Sequence, residues 1–256
     1  MLRFNQQFPG RSQQPLVSGL LVIFLLVALL ITPAGYAQAS GVIYVAPGGA
    51  GAHNGADWAD AKDLQAALTT AVSGDQLWVK AGIYKPTTGT DRNATFQLKS
   101  GLAIFGGFAG TEATLGQRDP TTNVTTLSGD LLGNDAGAVT IDNPTRSDNS
   151  YHVVTGTDVT GTAVIDGFTI TAGHADGTIP NNPNSGFGGG LSLSNSSPMI
   201  IAHVTFYANA AIGGGGMVNN VPSSPTLTYI IFCGNTASNG GGLLNFGGVP
   251  KITHTI

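Results

Sequence analysis

Short apolar segments separated by glycine-rich and polar turns recur along the second half of the chain with one spacing. Phe206 and Phe232 are 26 residues apart, and Asn209 and Asn235 keep the same distance. Three glycine triplets share this period, at residues 188–190, 214–216 and 240–242. Each triplet precedes an apolar residue. The pattern predicts a repeat architecture in which each period is one structural unit.

The composition of the repeat favours strands over helices. Val, Ile, Phe and Thr dominate the segments that follow Pro198, Pro225 and Pro250. Three consecutive glycines would each cost a helix interior about 1 kcal/mol relative to alanine. A period of this length fits a β-helix coil, in which two or three short strands stack on the preceding coil through parallel ladders. The sequence therefore predicts an all-β solenoid, a parallel β-helix, with Phe206 stacked over Phe232.

Two polar columns follow from the same period, and each has two interpretations. Asn209 over Asn235 is either an amide ladder that satisfies turn backbone groups, which we favour, or a row of ligand-binding side chains. A second column contains His203, Tyr229 and His254. We interpret it as an aromatic ladder rather than a metal site, because tyrosine interrupts the histidines and the sequence places no carboxylate beside them.

The N-terminal part predicts a cap for the solenoid. Apolar residues at helical spacing between Ala61 and Val72 predict an amphipathic helix with Asp60 as its N-cap. Strands are predicted on both sides of it, at Ile43–Pro47 and Leu77–Lys80. The exposed edge of a β-helix needs such a cover.

The chain begins with the pattern of a secretory signal peptide. Arg3 and Arg11 precede an apolar run at 20–31, and small residues suit cleavage before Gln38 or after Ala39. An uncleaved membrane anchor is the alternative. The predicted organisation is a signal peptide at 1–37 that engages the export machinery, an N-terminal cap with first strands at 38–100, and β-helix coils at 101–256. The final repeat lacks a polar cap, so we expect the coils to be truncated and to continue in a longer chain.

Charge and cysteine content restrict the function classes. The net charge is −4 and 9% of residues are charged, with no basic cluster to neutralise phosphates, so a nucleic-acid partner is excluded. The single cysteine, Cys233, cannot form an intrachain disulfide. An exported protein of this kind relies on packing and hydrogen bonds for its stability.

The repeat motifs resemble those of bacterial right-handed parallel β-helix proteins of the pectin-lyase-like fold that carry polymorphic outer-membrane-protein repeats. The motifs FYAN and FCGN end at Asn209 and Asn235, and GGGM and GGGL replace the family's Gly-Gly-Ala-Ile-like turn. Leading segments such as GIYKP, GGFAGTE and QRDP strengthen the resemblance, which covers roughly 42–256. It implies a secreted or cell-surface protein, at the outer membrane, often adhesive and anchored through a C-terminal anchoring or sorting region.

Candidates for catalysis are few and weak. Glu112 is the only glutamate. Most of the aspartate candidates neighbour glycine or asparagine, as turn residues do; the candidates are Asp130, Asp135, Asp142, Asp148, Asp158 and Asp166. None of them is predicted to form a close Asp–Asp pair resembling a polygalacturonase site. Asp166 in VIDGFTI is the best isolated candidate, although a turn role is favoured. An insertion of about ten residues relative to the next repeat predicts a functional loop near His174, Asp176 and Asn181.

These observations favour a non-enzymatic function. The sequence predicts an exported cell-surface or secreted β-helix module, adhesin-like or structural, whose expected partner is a polysaccharide or cell-surface ligand. We predict no cofactor and no metal. The alternative is a polysaccharide lyase or glycoside hydrolase whose catalytic residues lie mostly on missing downstream coils, since the fold hosts both kinds of protein.

Overall fold

The computed structural model describes residues 41–177 and 185–256. The signal peptide predicted at 1–37 and the loop residue Asn181 lie outside this part of the chain. No helix within the described residues is long and apolar enough to cross a membrane.

The strands of the described residues pair in parallel and form four sheets along a common axis. Sheet A contains β1 (Val42–Val45), β2 (Gln76–Lys80), β5 (Ala103–Phe108), β8 (Ala163–Asp166), β12 (Met199–Ala202), β16 (Thr226–Thr228) and β20 (Lys251–Thr253). Sheet B contains β3 (Gly82–Tyr84), β6 (Thr125–Ser128), β9 (Thr169–Thr171), β13 (Thr205–Tyr207) and β17 (Ile231–Cys233).

The other two sheets complete the coils, one of them only in the later coils. Sheet C contains β4 (Phe96–Gln97), β7 (Val154–Thr157), β11 (Leu191–Ser194), β15 (Met217–Asn220) and β19 (Leu243–Phe246). Sheet D contains β10 (His174–Ala175), β14 (Ala210–Gly213) and β18 (Thr236–Asn239). The chain visits sheets A, B and C in this order in successive coils and passes through sheet D between B and C in the later ones. The fold is a right-handed parallel β-helix, as predicted. Strands from both sides of residue 100 share sheets A, B and C.

Apolar residues in register form the interior. In sheet A the column consists of Leu77, Ile104, Ile165, Ile201 and Leu227, all at most 3% exposed. Sheets B and C contribute two more columns, Leu127–Ile170–Phe206–Phe232 and Val154–Leu191–Met217–Leu243. The rings of Phe206 and Phe232 stack 5.1 Å apart, which confirms the predicted pair. Each fully buried aliphatic side chain stabilises the coil by about 2 kcal/mol.

The glycine triplets stack directly on one another. The N–H of Gly190 donates to the carbonyl of Gly215 at 3.1 Å, and the N–H of Gly216 donates to that of Gly241 at 2.9 Å. A Cβ placed on Gly190 would lie 2.5 Å from the carbonyl oxygen of Gly216. Glycine is required at this position because the backbones of adjacent coils approach too closely for any side chain.

The predicted N-terminal helix exists but is shorter than expected. Helix α1 spans Leu64–Thr70, and its N-cap is Asp63, whose side chain accepts the N–H of Gln65. The prediction of Ala61 as the start and Asp60 as the cap was wrong. Lys62 exchanges backbone hydrogen bonds with β1 at Tyr44 and Ala46, so the chain is still extended there.

The helix covers the N-terminal end of the interior. Its buried residues Leu64, Ala67 and Leu68 join the same apolar cluster as Val45 and Leu77. It contacts β1 and β4, the first strands of sheets A and C. The strands predicted on either side of it are present as β1 and β2. Two short 3-10 helices lie in later loops, at Leu115–Gln117 and Pro144–Arg146.

The close contact between glycine triplets predicts a large position-dependent effect. Gly190→Ala should lower the free energy of unfolding by about 2 kcal/mol or more, because the new methyl group meets backbone that cannot move freely. Gly116→Ala is the control, since nothing lies within 4 Å of a Cβ there, and its effect should stay within about 1 kcal/mol. Urea denaturation of both variants measures the difference. Equal effects would contradict the close stacking of the triplets.

Candidate functional site

Two arginine–aspartate ion pairs attach an early loop to a later part of the chain, and a third lies within the loop between β6 and β7. Arg92 pairs with Asp176 at 2.6 Å, Arg118 with Asp166 at 2.8 Å, and Arg146 with Asp135 at 2.7 Å. Each arginine lies in a loop between two strands of the first coils. Both sequence-predicted aspartates, Asp166 and Asp176, are therefore engaged by a cation from a distant loop.

Asp166 ends β8, just before the left-handed residue Gly167. One of its carboxylate oxygens accepts from Arg118 and the other lies 3.0 Å from Nδ1 of His203. Arg118 also donates to the backbone carbonyls of Gly106 and Asp166. The expectation that no carboxylate accompanies the His203 column was wrong, because the register of sheet A places Asp166 beside Ala202, one residue before His203.

His174 and Asp176, two of the residues near the predicted insertion, lie close together. His174 is 1% exposed in β10, and its Nε2 lies 3.1 Å from the carbonyl oxygen of Ile141 and 3.5 Å from Asp176. Burial alone would raise the pKa of Asp176, but hydrogen bonds from His174 and Arg92 and the charge of Arg92 lower it to about 2. Asp176 is therefore ionised at neutral pH and has no proton to donate as a general acid. Asp166 lies on sheet A, and its partners, Arg118 and His203, differ from those of Asp176.

A cavity of about 360 Å³ brings Asp130 and Asp135 to one place. Its lining also includes Arg146 and Tyr207. Burial raises the pKa of Asp135, opposed by a hydrogen bond from Asn149 and the charge of Arg146. The loop folds back so that the backbone N–H of Asp135 donates to the carboxylate of Asp130. That no aspartate pair resembles a polygalacturonase site stays a prediction.

The glutamate is held by its own loop. The carboxylate of Glu112 accepts the backbone N–H groups of Ala109, Gly110 and Thr111. Burial by itself would raise the pKa of Glu112, but these N–H groups lower it. A glycosidase acid needs the opposite shift, so Glu112 stabilises its loop rather than supplying a proton.

The asparagine column is a backbone-satisfying ladder. Asn209 accepts from the N–H of Gly173 and donates to the carbonyl of Ile170 and to Oδ1 of Asn235. Asn235 in turn donates to the carbonyl of Phe206. Asn209 is fully buried, so the favoured interpretation is confirmed and no ligand row is formed there.

The histidine and tyrosine column is an outward aromatic ladder. His203 and Tyr229 stack 5.0 Å apart, and Tyr229 and His254 stack 4.7 Å apart, which confirms the predicted stack. All three have φ near +50° (48°, 54° and 50°), so the same turn recurs in three coils. The described residues contain no group of three or more His, Cys, Asp or Glu arranged to hold a metal ion.

Comparison with known proteins gives limited information. No family model matches the chain, and no curated protein matches it. A search of solved structures finds the crystal structure of pectate lyase Pel9A, with a TM-score of 0.44 and 14% identity. The alignment covers 85% of this chain and 63% of the lyase chain, so the chain spans less than two thirds of that protein. A likeness this distant carries no inference about activity, and membership of the family with polymorphic repeats stays a prediction.

The Asp176 cluster predicts a specific pH dependence of stability. Its folded pKa of about 2 lies below the ordinary value of 3.8, so its stabilisation is complete above about pH 4 and is lost as the pH falls towards 2. Asp176→Asn should therefore flatten the dependence of the unfolding free energy on pH in this window. Urea denaturation at several pH values tests this. The exposed Asp142→Asn serves as control and should keep the wild-type dependence; a wild-type slope in Asp176→Asn would contradict the assignment.

Proposed function

We propose that the chain is an exported β-helix module, secreted or displayed at the cell surface, with an adhesin-like or structural role and no catalytic step. The observation that carries this proposal is that the candidate catalytic acids and bases are ion-paired, buried or hydrogen-bonded within the protein. Asp166 and Asp176 are neutralised by arginines, His174 is buried, and Glu112 is held ionised by backbone N–H groups. Such groups are arranged for stability, since a general acid or base needs access to a substrate.

Features of the sequence support the location and the partner. The pattern at 1–37 is that of an export signal, and the resemblance of the repeats is to surface proteins. A net charge of −4 without a basic cluster supports a polysaccharide or cell-surface ligand over nucleic acid. An anchoring or sorting region on a longer chain remains part of the proposal.

A second candidate function is a polysaccharide lyase or glycoside hydrolase. The cavity with Asp130 and Asp135 favours it, because two carboxylates, one with a raised pKa, are what glycoside hydrolysis uses. Against it, Asp135 is paired with Arg146 at 2.7 Å, and Asp130 accepts backbone N–H groups of its own turn at Gly133 and Asn134.

Turnover separates the two functions. The protein lacking residues 1–37 is incubated with plant, algal and bacterial polysaccharides, and release of reducing ends and of unsaturated products is measured. We expect no release above a heat-denatured control.

Product release that is lost in Asp135→Asn or Asp130→Asn would overturn the non-catalytic proposal and establish the second candidate. The Asp142→Asn variant is the matched control for these substitutions, because Asp142 is exposed and lies outside the cavity lining.

A further inference from the structure

The outer face of sheet C carries an open groove of about 400 Å³. Its lining consists of His152, Thr155, Thr157, Phe187, Ser192, Ser194, Asn220 and Phe246. The alternation along VTGT and LSLS explains this lining, because every second residue of a strand points away from the interior. Leu191 and Leu193 are buried while Ser192 and Ser194 face the groove.

Hydroxyl groups form two rows on this face. Thr155 is in register with Ser192, and Thr157 with Ser194, so each pair lies one strand spacing apart, about 4.8 Å. Asn220 extends the outer row into the next coil, where it is in register with Phe246. The parallel register therefore presents a regular array of small polar groups along the solenoid axis.

Three polar side chains of the groove are available to a ligand, whereas the hydroxyl of Thr155 donates to Oε1 of Gln97 at 2.7 Å. Within residues 41–177 and 185–256, the side chains of Thr157, Ser192 and Ser194 make no hydrogen bond to protein. The polar residues of the interior differ, since Asn209 bonds to three neighbours. Surface hydroxyls of this kind bond to water that the hydroxyls of a ligand can replace at little enthalpic cost.

Two aromatic rings border the groove. Phe187 and Phe246 meet edge to face, with ring centroids 5.6 Å apart and planes at 81°. Phe246 is 45% exposed although it is a large apolar side chain. A wall of aromatic carbon beside rows of hydroxyls matches the two kinds of surface on a sugar ring, its C–H face and its hydroxyl edge.

Among the described residues, the groove lining contains no lysine, arginine, aspartate or glutamate, and its imidazole is that of His152. Nδ1 of that residue lies 2.9 Å from the carbonyl oxygen of Gly188. An acidic polysaccharide requires arginine, lysine or a bound cation to balance its carboxylates, and the lining residues that the structure describes include neither lysine nor arginine. We propose that this groove binds an uncharged polysaccharide chain. This assignment rests on the proposed non-catalytic surface function and gives that function a ligand class.

Affinity electrophoresis with hydroxyethyl cellulose, xylan and galactomannan tests the site, with polygalacturonate as the charged comparison. The wild-type protein lacking residues 1–37 should be retarded by at least one of the uncharged polymers and should bind polygalacturonate more weakly. Ser192→Glu should lower the affinity for that polymer at least about tenfold, because it places an uncompensated charge among the hydroxyl rows. Phe246→Ala should weaken binding in the same direction by removing the aromatic wall.

Thr205→Glu is the matched control. Thr205 is half-buried, points outward from β13 beside a buried phenylalanine, and lies on sheet B rather than sheet C. The Thr205→Glu variant should bind like the wild type. Thermal unfolding of each variant tests whether it is folded. Unchanged binding by both Ser192→Glu and Phe246→Ala, or equal loss in Thr205→Glu, would overturn the site.

Absence of binding to every uncharged polymer, or stronger binding to polygalacturonate, would overturn the ligand class. None of these results involves product release, so failure of this site is distinguishable from failure of the proposed non-catalytic function.

Discussion

The backbone hydrogen bonds between successive coils are the constraint on which the rest of the structure depends. Parallel ladders join coil to coil in sheets A, B, C and D. In the last two coils the partners in sheets B, C and D are 26 residues apart, whereas β16 and β20 of sheet A pair at a spacing of 25. Residues one period apart must then lie about 4.8 Å from each other. A side chain at one position of the coil therefore has to pack against the side chains at the equivalent positions of the coils above and below it.

That constraint explains which side chains occupy the columns. Aliphatic and aromatic residues stack inside because like packs on like at strand spacing, as Phe206 does on Phe232. A polar residue inside must pair with its own kind or with backbone, and Asn219 does so by donating to Asn245 at 2.7 Å. Where backbones approach most closely only glycine fits. The irregular loops of the first coils have no such partners, and the arginine–aspartate pairs hold them instead.

The sequence predicts the parts of the molecule that repeat. We predicted the Phe, Asn and glycine columns and the His203 ladder, because the residues of each column recur at regular spacing in the sequence. The boundary of α1 was not, since the bridge between Lys62 and β1 is a tertiary contact that overrides helical periodicity. The partners of Asp166 and Asp176 were also missed. Arg118 and Arg92 lie 48 and 84 residues away in loops that have no period to align.

The groove on sheet C has a weaker signal in the sequence. Serine and threonine alternating with apolar residues in VTGT and LSLS indicate an outward polar face, but nothing in one strand shows that the next strand continues it. The two phenylalanines that border the groove, Phe187 and Phe246, belong to different coils and are 59 residues apart, which is more than two repeats. Only the three-dimensional register brings them within contact.

Hydrogen exchange at the glycine triplets tests the central claim most directly. The N–H groups of Gly189, Gly190 and Leu191 donate to carbonyls of the next coil, at Gly214, Gly215 and Gly216. If coil stacking carries the fold, these amides should exchange orders of magnitude more slowly than an unstructured chain, even though glycine alone confers no order. Exchange at the unstructured rate, with the strands of sheets A and B still protected, would show that the coils are not joined at this point and would contradict the account.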